Sequence, residues 1–90
     1  MVFEWDPNKA RRNMEKHGVS FEEAATAFAD PRSFTRFDPD HSEDEDRFLL
    51  LGATQSGRLV VLSHTDRGES IRIISARLAS RRERRTYAIG

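Results

Sequence analysis

Apolar positions along this chain follow two rhythms, helical in the first third and strand-like after it. Phe21, Ala24, Ala25 and Phe28 stand at i, i+3, i+4 and i+7, the stripe of a helix packed on a core. Ser20 and Glu23 have the spacing of a capping box at its start, and Asp30-Pro31 ends it, because the residue before a proline is driven out of the helical region. Upstream, Val2 to Trp5 is a short apolar and aromatic run that reads as a strand. Asp6-Pro7 then opens a helix, with aspartate as N-cap and proline at the first helical position. That helix runs to about His17, where Gly18 stops it. Ala10 and Met14 give it only a thin apolar face, while Lys9, Arg12 and Lys16 recur at spacings of three and four on one side.

Beyond residue 32 the helical period disappears. Ser33 to Phe37 reads as a strand with Phe34 and Phe37 offering apolar contacts. Arg47 to Thr54, Arg58 to Thr65 and Glu69 to Arg77 are three further apolar strands. The short connections Gln55-Ser56-Gly57 and Asp66-Arg67-Gly68 predict consecutive hairpins. Ser80 and Glu83 repeat the capping-box spacing and open a terminal helix. Helices first and a meander after them predict an α+β fold. The expectation is one small domain over residues 1–90, an antiparallel sheet of about four to five strands with two N-terminal helices on one face and a C-terminal helix. Ninety residues leave no room for a second core.

Composition narrows the class. The chain has no cysteine, which removes disulfides and thiolate metal sites. No apolar run approaches the ~18 residues of a membrane span, and Met-Val-Phe-Glu-Trp-Asp is not a signal peptide. The reading is a cytoplasmic protein with no membrane partner. Formal net charge is zero, which by itself argues against a polyanion partner, but its distribution argues the other way. Residues 21–46 hold nine acids against Arg32 and Arg36, and residues 71–90 hold six arginines against Glu83. A local field of that kind matters more to a polyanion than the sum does.

The acidic run Asp38 to Asp46 invites a calcium reading, which its spacing refuses. The sixth position from Asp38 is Glu43, where the turn needs glycine, and the twelfth is Leu49, where a bidentate glutamate is needed. A solvated loop is expected there, with no metal and no cofactor.

Two arginines, Arg72 and Arg77, interrupt a strand that has little structural use for them. The helix after it carries Arg81, Arg82, Arg84 and Arg85. A charge run is often no more than a solvated helical face, yet this strand and helix together offer guanidinium groups to phosphates. Hairpin pairing brings His64 near one end or face with Arg72 and Arg77. Strict alternation puts the two arginines on opposite faces, unless a bulge or the strand end reorients Arg77. A lone strand histidine is more often structural than catalytic, but His64 could move a proton while arginines hold a phosphate. His17, beside Lys16, also reads as a C-terminal helix cap. The chemistry these groups suit is RNA cleavage, in which fixed cations stabilise the charge that develops on phosphate. No Ser-His-Asp order, phosphate-cradling glycine loop or metal-ligand cluster competes with it.

Phe3-Glu4-Trp5-Asp6, followed by Lys9, Asn13, Lys16-His17-Gly18 and Phe21, resembles the N-terminal signature of the BrnT toxins. Ile73-Ile74-Ser75-Ala76-Arg77, then Ala79-Ser80-Arg81-Arg82-Glu83-Arg84 and Tyr87, resembles that family's C-terminal signature. The resemblance spans essentially the whole chain. It implies a RelE-like fold and a ribonuclease that arrests translation. It also implies a partner, a small BrnA-like antitoxin that carries a ribbon-helix-helix domain and represses the shared operon, so that operator DNA is reached only through the antitoxin. A hetero-oligomer follows, with two copies of each chain as one open stoichiometry. Lys9, Lys16, His17 and Arg77 carry over by position within the motifs. Arg72, His64 and Arg47 lie outside them and rest on the strand reading.

The expected roles are therefore Arg77 and Arg72 on the scissile phosphate, His64 in proton transfer, and Lys9, Lys16, His17 and Arg47 along the RNA path. Arg81, Arg84 and Arg85 are expected to meet the antitoxin. Two other readings use the same cations: a non-catalytic module that binds RNA or protein, and an inactive toxin kept as a co-repressor.

Overall fold

The computed structural model describes residues 1–89. Strand β1 (Val2–Glu4) leads into helix α1 (Pro7–His17), and helix α2 (Phe21–Ala25) continues as a 3-10 turn over Thr26–Ala29. Strands β2 (Phe34–Phe37), β3 (Phe48–Ala53), β4 (Leu59–Arg67) and β5 (Ser70–Leu78) follow, and helix α3 (Arg81–Ile89) comes last. The five strands form one sheet in the order β1-β5-β4-β3-β2. β2 to β5 pair antiparallel, as the hairpin turns require. The expectation of a wholly antiparallel sheet fails at one edge, where β1 lies parallel to β5. No tight turn joins those two strands, so β1 is placed by packing: Phe3 lies against Phe28 and Trp5 against Phe21.

Each helix start has a visible cause. The Asn8 amide donates to the Asp6 side chain at 2.8 Å, and Pro7 occupies the first turn. Gly18 closes α1 with φ 68°, a left-handed conformation that glycine adopts without steric cost. The apolar face expected of α1 is only half right. Ala10 packs on the core, but Met14 is 52% exposed and the buried residue is Asn13. The stripe through Phe28 packs as expected, but its last turn tightens into 3-10 geometry. There the Thr26 hydroxyl donates back to the Glu23 carbonyl at 2.6 Å and accepts from the Gln55 amide at 2.8 Å.

The sheet has a covered face and an open one. α1 and α2 cover the first, where Val19, Phe21, Leu50, Leu62 and Ile73 form the main core. On the other side a smaller cluster of Leu51, Leu59, Val61 and Ala79 is covered by α3, chiefly through Tyr87. No residue of α3 is fully buried. Tyr87 anchors it, donating its hydroxyl to Asp30 at 2.7 Å beneath the Arg32 guanidinium. Ile89, the last apolar side chain of the helix, is 88% exposed.

Candidate active site

A bulge decides which side chains the open face carries. Ser63 pairs with Ser75 but His64 pairs with Ile73, leaving Ile74 as an extra residue on β5. Cross-strand partners share a face, so Arg77 opposite Val61 and Arg72 opposite Thr65 both lie on the α3 side. Without the bulge, alternation would have parted them. The open face then reads as cross-strand rows. Phe34, Leu51, Val61 and Arg77 form one, Arg36, Leu49, Ser63 and Ser75 the next, and Thr65, Arg72 and Glu4 the third. Arg77 and Arg72 stand four β4 positions apart, on the order of 13 Å of strand.

Both arginines have partners. Glu83 of α3 accepts from the two terminal nitrogens of Arg77 at 2.8 and 2.9 Å, a two-point grip that fixes the plane of the guanidinium. The same carboxylate accepts from the Ser80 amide at 2.7 Å, and the Glu83 amide donates to the Ser80 hydroxyl. The Arg77 guanidinium pulls the Glu83 carboxyl down to about 2, while Glu83 raises Arg77 above its ordinary value. Arg72 has a looser partner in Glu4, at 3.8 Å.

Around the edge of β5 lies a second cationic surface. Lys9, Arg12, Lys16 and His17 face Ile74 and Ser75 across a cleft of about 230 Å³. β1 reaches only as far as Arg72, so the outer edge at Ala76 has no strand beside it. Asn13 fills that place, donating to the Ala76 carbonyl at 2.8 Å and accepting from its amide at 3.1 Å. The same side chain donates to the Val19 carbonyl at 3.0 Å, which pins α1 to the edge. Ser75 belongs both to this cleft and to the open face, so the two cationic surfaces are continuous around it.

Two expected residues lie elsewhere. His64 pairs with Ile73 on the covered face, not with the arginines, and is 4% exposed. Its ring sits between Phe28 at 5.0 Å and Phe48 at 5.7 Å, with neither nitrogen hydrogen-bonded. Burial holds its pKa below the usual imidazole value, and Asp66, 4.0 Å away, only partly opposes this. Parity sent it there: His64 is two residues from Leu62, and the bulge falls on the partner strand. Arg47 is set among Asp40, His41, Glu43, Asp44 and Glu45, with its Nε 3.9 Å from Glu45, apart from the lysines of α1. The acidic loop there is tied more closely than a solvated run: Asp38 is buried, its amide donates to the Arg47 carbonyl at 2.9 Å, and its carboxylate contacts His41 Nδ1 at 2.8 Å. Among the described residues no three His, Asp or Glu side chains are grouped as metal ligands.

Arg81, Arg84 and Arg85 are exposed along α3 and make no ion pair among the described residues. Arg82 instead overhangs a cleft of about 290 Å³ between α3 and the sheet, floored by Leu49, Leu51 and Val61. Sequence reasoning missed this cleft, the grip of Glu83 on Arg77 and the edge-filling role of Asn13. Only the second had a local signal, the arginine three residues ahead of a capping box. A larger and mostly apolar hollow, about 790 Å³, lies against Phe3, Ala25 and Phe28 and carries none of these cations.

No helix among the described residues is long and apolar enough to cross a membrane. No curated protein matches the chain in sequence. The crystal structure of the Brucella abortus ribonuclease toxin BrnT shares its fold, with a TM-score of 0.65 at 22% identity over 90% of this chain and 100% of that one. Residues 5–83 match the family described as ribonuclease toxin, BrnT, of type II toxin-antitoxin system. With α1, α2, strands β2 to β5 and both cationic surfaces lying inside that match, the chain belongs to the BrnT family of ribonuclease toxins, whose systems pair such a toxin with an antitoxin.

Proposed function

We propose that this chain is a cytoplasmic endoribonuclease that cleaves RNA by attack of a ribose 2′-hydroxyl on the adjoining phosphate, without a metal, and so arrests translation. One observation carries this reading: the β5 bulge turns Arg72 and Arg77 onto one open face that continues into the Lys9, Lys16 and His17 cleft. In the reaction the 2′-oxygen loses its proton and bonds to phosphorus. The bond from phosphorus to the 5′-oxygen breaks, and that oxygen takes a proton, leaving a cyclic phosphate and a 5′-hydroxyl. Arg77, aimed by Glu83, stabilises the charge that grows on the phosphate oxygens. Arg72, a strand's length away, holds a neighbouring phosphate. With His64 on the covered face, proton transfer falls to His17, the histidine of the cationic cleft. A BrnA-type antitoxin with a ribbon-helix-helix domain silences the toxin by covering Arg81, Arg84 and Arg85.

One observation favours a non-catalytic RNA- or protein-binding module instead: Glu83 already occupies both terminal nitrogens of Arg77. Expression of the chain alone separates the readings. Growth and translation stop and a cognate antitoxin restores both, and the purified protein cuts RNA with a chelator present. Unimpaired growth with soluble protein in the cell would leave the binding module or the inactive co-repressor.

A further inference from the structure

We infer that the cleft beneath α3 is a nucleobase site, which holds the base next to the phosphate at Arg77 and favours guanine there. This rests on the RNA-cleaving reading and deepens it. The floor is apolar, made by Leu49, Leu51 and Val61 on neighbouring strands. At one end stands Phe34, which is 39% exposed and belongs to neither core cluster. An aromatic ring left bare beside an apolar floor gives a base the stacking surface that single-stranded RNA recognition uses. The volume, about 290 Å³, lies at the small end of ligand clefts, ~300 Å³ and upward. It suits one planar ring system better than a helix of a protein partner.

Position and charge argue for the same occupant. Phe34 and Arg77 lie in one cross-strand row, and Glu83 both lines the cleft and grips Arg77. Phe34 and Arg77 close the two ends of the cleft, three strand spacings or about 14 Å apart. A base lying over Leu51 and Val61 between them touches the ring on one side and reaches the phosphate site on the other. The rim carries Arg36 and Arg82, both exposed and without an ion pair among the described residues. The one acid there, Glu83, is spent on Arg77 and Ser80. A rim of free donors selects a base edge rich in acceptors, and guanine offers O6 and N7 together to a single guanidinium.

The probe is a set of RNA trinucleotides made uncleavable by 2′-deoxy sugars on the 5′ side of both linkages, varied in the central base. The wild-type protein binds the guanine member most tightly. Phe34→Ala weakens that binding roughly tenfold or more and flattens the base preference, and Phe34→Trp restores affinity. Arg82→Gln lowers the preference for guanine more than it lowers affinity for the other bases. Thr86→Trp, at an exposed position of α3 that lines the cleft, fills it and reproduces the Phe34→Ala result without touching the sheet. Binding of all members by folded Phe34→Ala and Thr86→Trp at wild-type affinity overturns the inference. So does a loss confined to the antitoxin, which would give the cleft to a protein side chain. Binding does not depend on cleavage: a protein that binds as described but cuts no RNA keeps the base site and loses the nuclease reading. A protein that cuts RNA with an unchanged pattern after Phe34→Ala does the reverse.

Discussion

Two helices of this chain begin with the same four-residue device, and their glutamates do different work. At α2, the Glu23 amide donates to the Ser20 hydroxyl at 3.0 Å, but the carboxylate turns away from the helix. It accepts from Arg58 at 2.6 and 2.9 Å and from the Ser56 and Thr54 hydroxyls, tying α2 to the β3–β4 turn. Arg58 also donates to the Gly18 carbonyl, so its guanidinium joins three elements of the fold. At α3 the box is closed, with Glu83 accepting from the Ser80 amide, and its carboxylate also holds Arg77. One carboxylate secures a turn, the other aims an arginine on an open cationic face. The chemistry of each ion pair is the same; what differs is whether the arginine has anything left to meet.

The largest effect expected is a crossing between these pairs. Arg77→Ala lowers RNA cleavage on the order of 10²–10³-fold, the usual loss of one preorganised charge donor, and leaves thermal unfolding close to wild type. Arg77→Lys is also poor, because an ammonium cannot reproduce a two-point hold. Arg58→Ala does the opposite, lowering the unfolding temperature while each folded molecule cleaves normally. Unfolding and single-turnover cleavage measured on all three variants decide it. Arg77→Ala that unfolds normally and cuts at the wild-type rate would take Arg77 out of the site.

Both capping boxes were legible in the sequence and neither ion pair was, and the reason is range. Capping boxes, the Gly18 stop and the Gly-containing turns are local signals, and the structure has helices or hairpins at each of them. Strand edges moved by a residue or so, as element ends do. The parallel seat of β1 was not legible, since a three-residue strand carries no information about its partner. The face shared by Arg72 and Arg77 depends on one extra residue, Ile74, and counting by twos along β5 gives the wrong answer without it. His64 shows the same limit from the other side: its chemistry suggested proton transfer, while parity buried it between two phenylalanines. Asn13 was legible only as part of a motif, because its hydrogen bonds reach Ala76, far along the chain.

A second, smaller effect concerns the arginines that no glutamate holds. Arg81, Arg84 and Arg85 repel one another at helical spacing on a helix with little burial of its own. An acidic antitoxin segment laid over them would relieve that repulsion and cover the face proposed for RNA. Toxin–antitoxin affinity is therefore expected to weaken as salt rises. Arg81→Glu and Arg85→Glu each weaken it roughly five- to tenfold, the ~1 kcal/mol scale of an exposed ion pair. Affinity unmoved by salt and by both reversals would place the antitoxin on another surface.

The smallest effect, in acid, sharpens the comparison by adding the buried histidine to the two carboxylates. Arg58 holds the Glu23 carboxyl at about 2 and Arg77 holds Glu83 at about 2, both from an ordinary 4.5. A carboxyl depressed on folding contributes stability that is present above its unfolded value and lost as pH falls through the folded one. Both pairs therefore weaken from about pH 4.5 downward. These side chains are partly exposed, so water screens them and each loss is modest. His64 acts earlier. Its folded pKa lies below its ordinary 6.5 because the charged ring would lose solvation between Phe28 and Phe48. The unfolded chain thus binds that proton first, and stability declines as pH falls below 6.5. Unfolding temperatures measured from about pH 7.5 to about pH 3 should show two successive declines. His64→Phe flattens the first and leaves the second, whereas Glu23→Gln and Glu83→Gln flatten the second and leave the first. Only Glu83→Gln is also expected to change cleavage, because only that carboxylate holds an arginine of the proposed RNA face. If His64→Phe and wild type lose stability in parallel between pH 6.5 and 5, the histidine is not the group that titrates there.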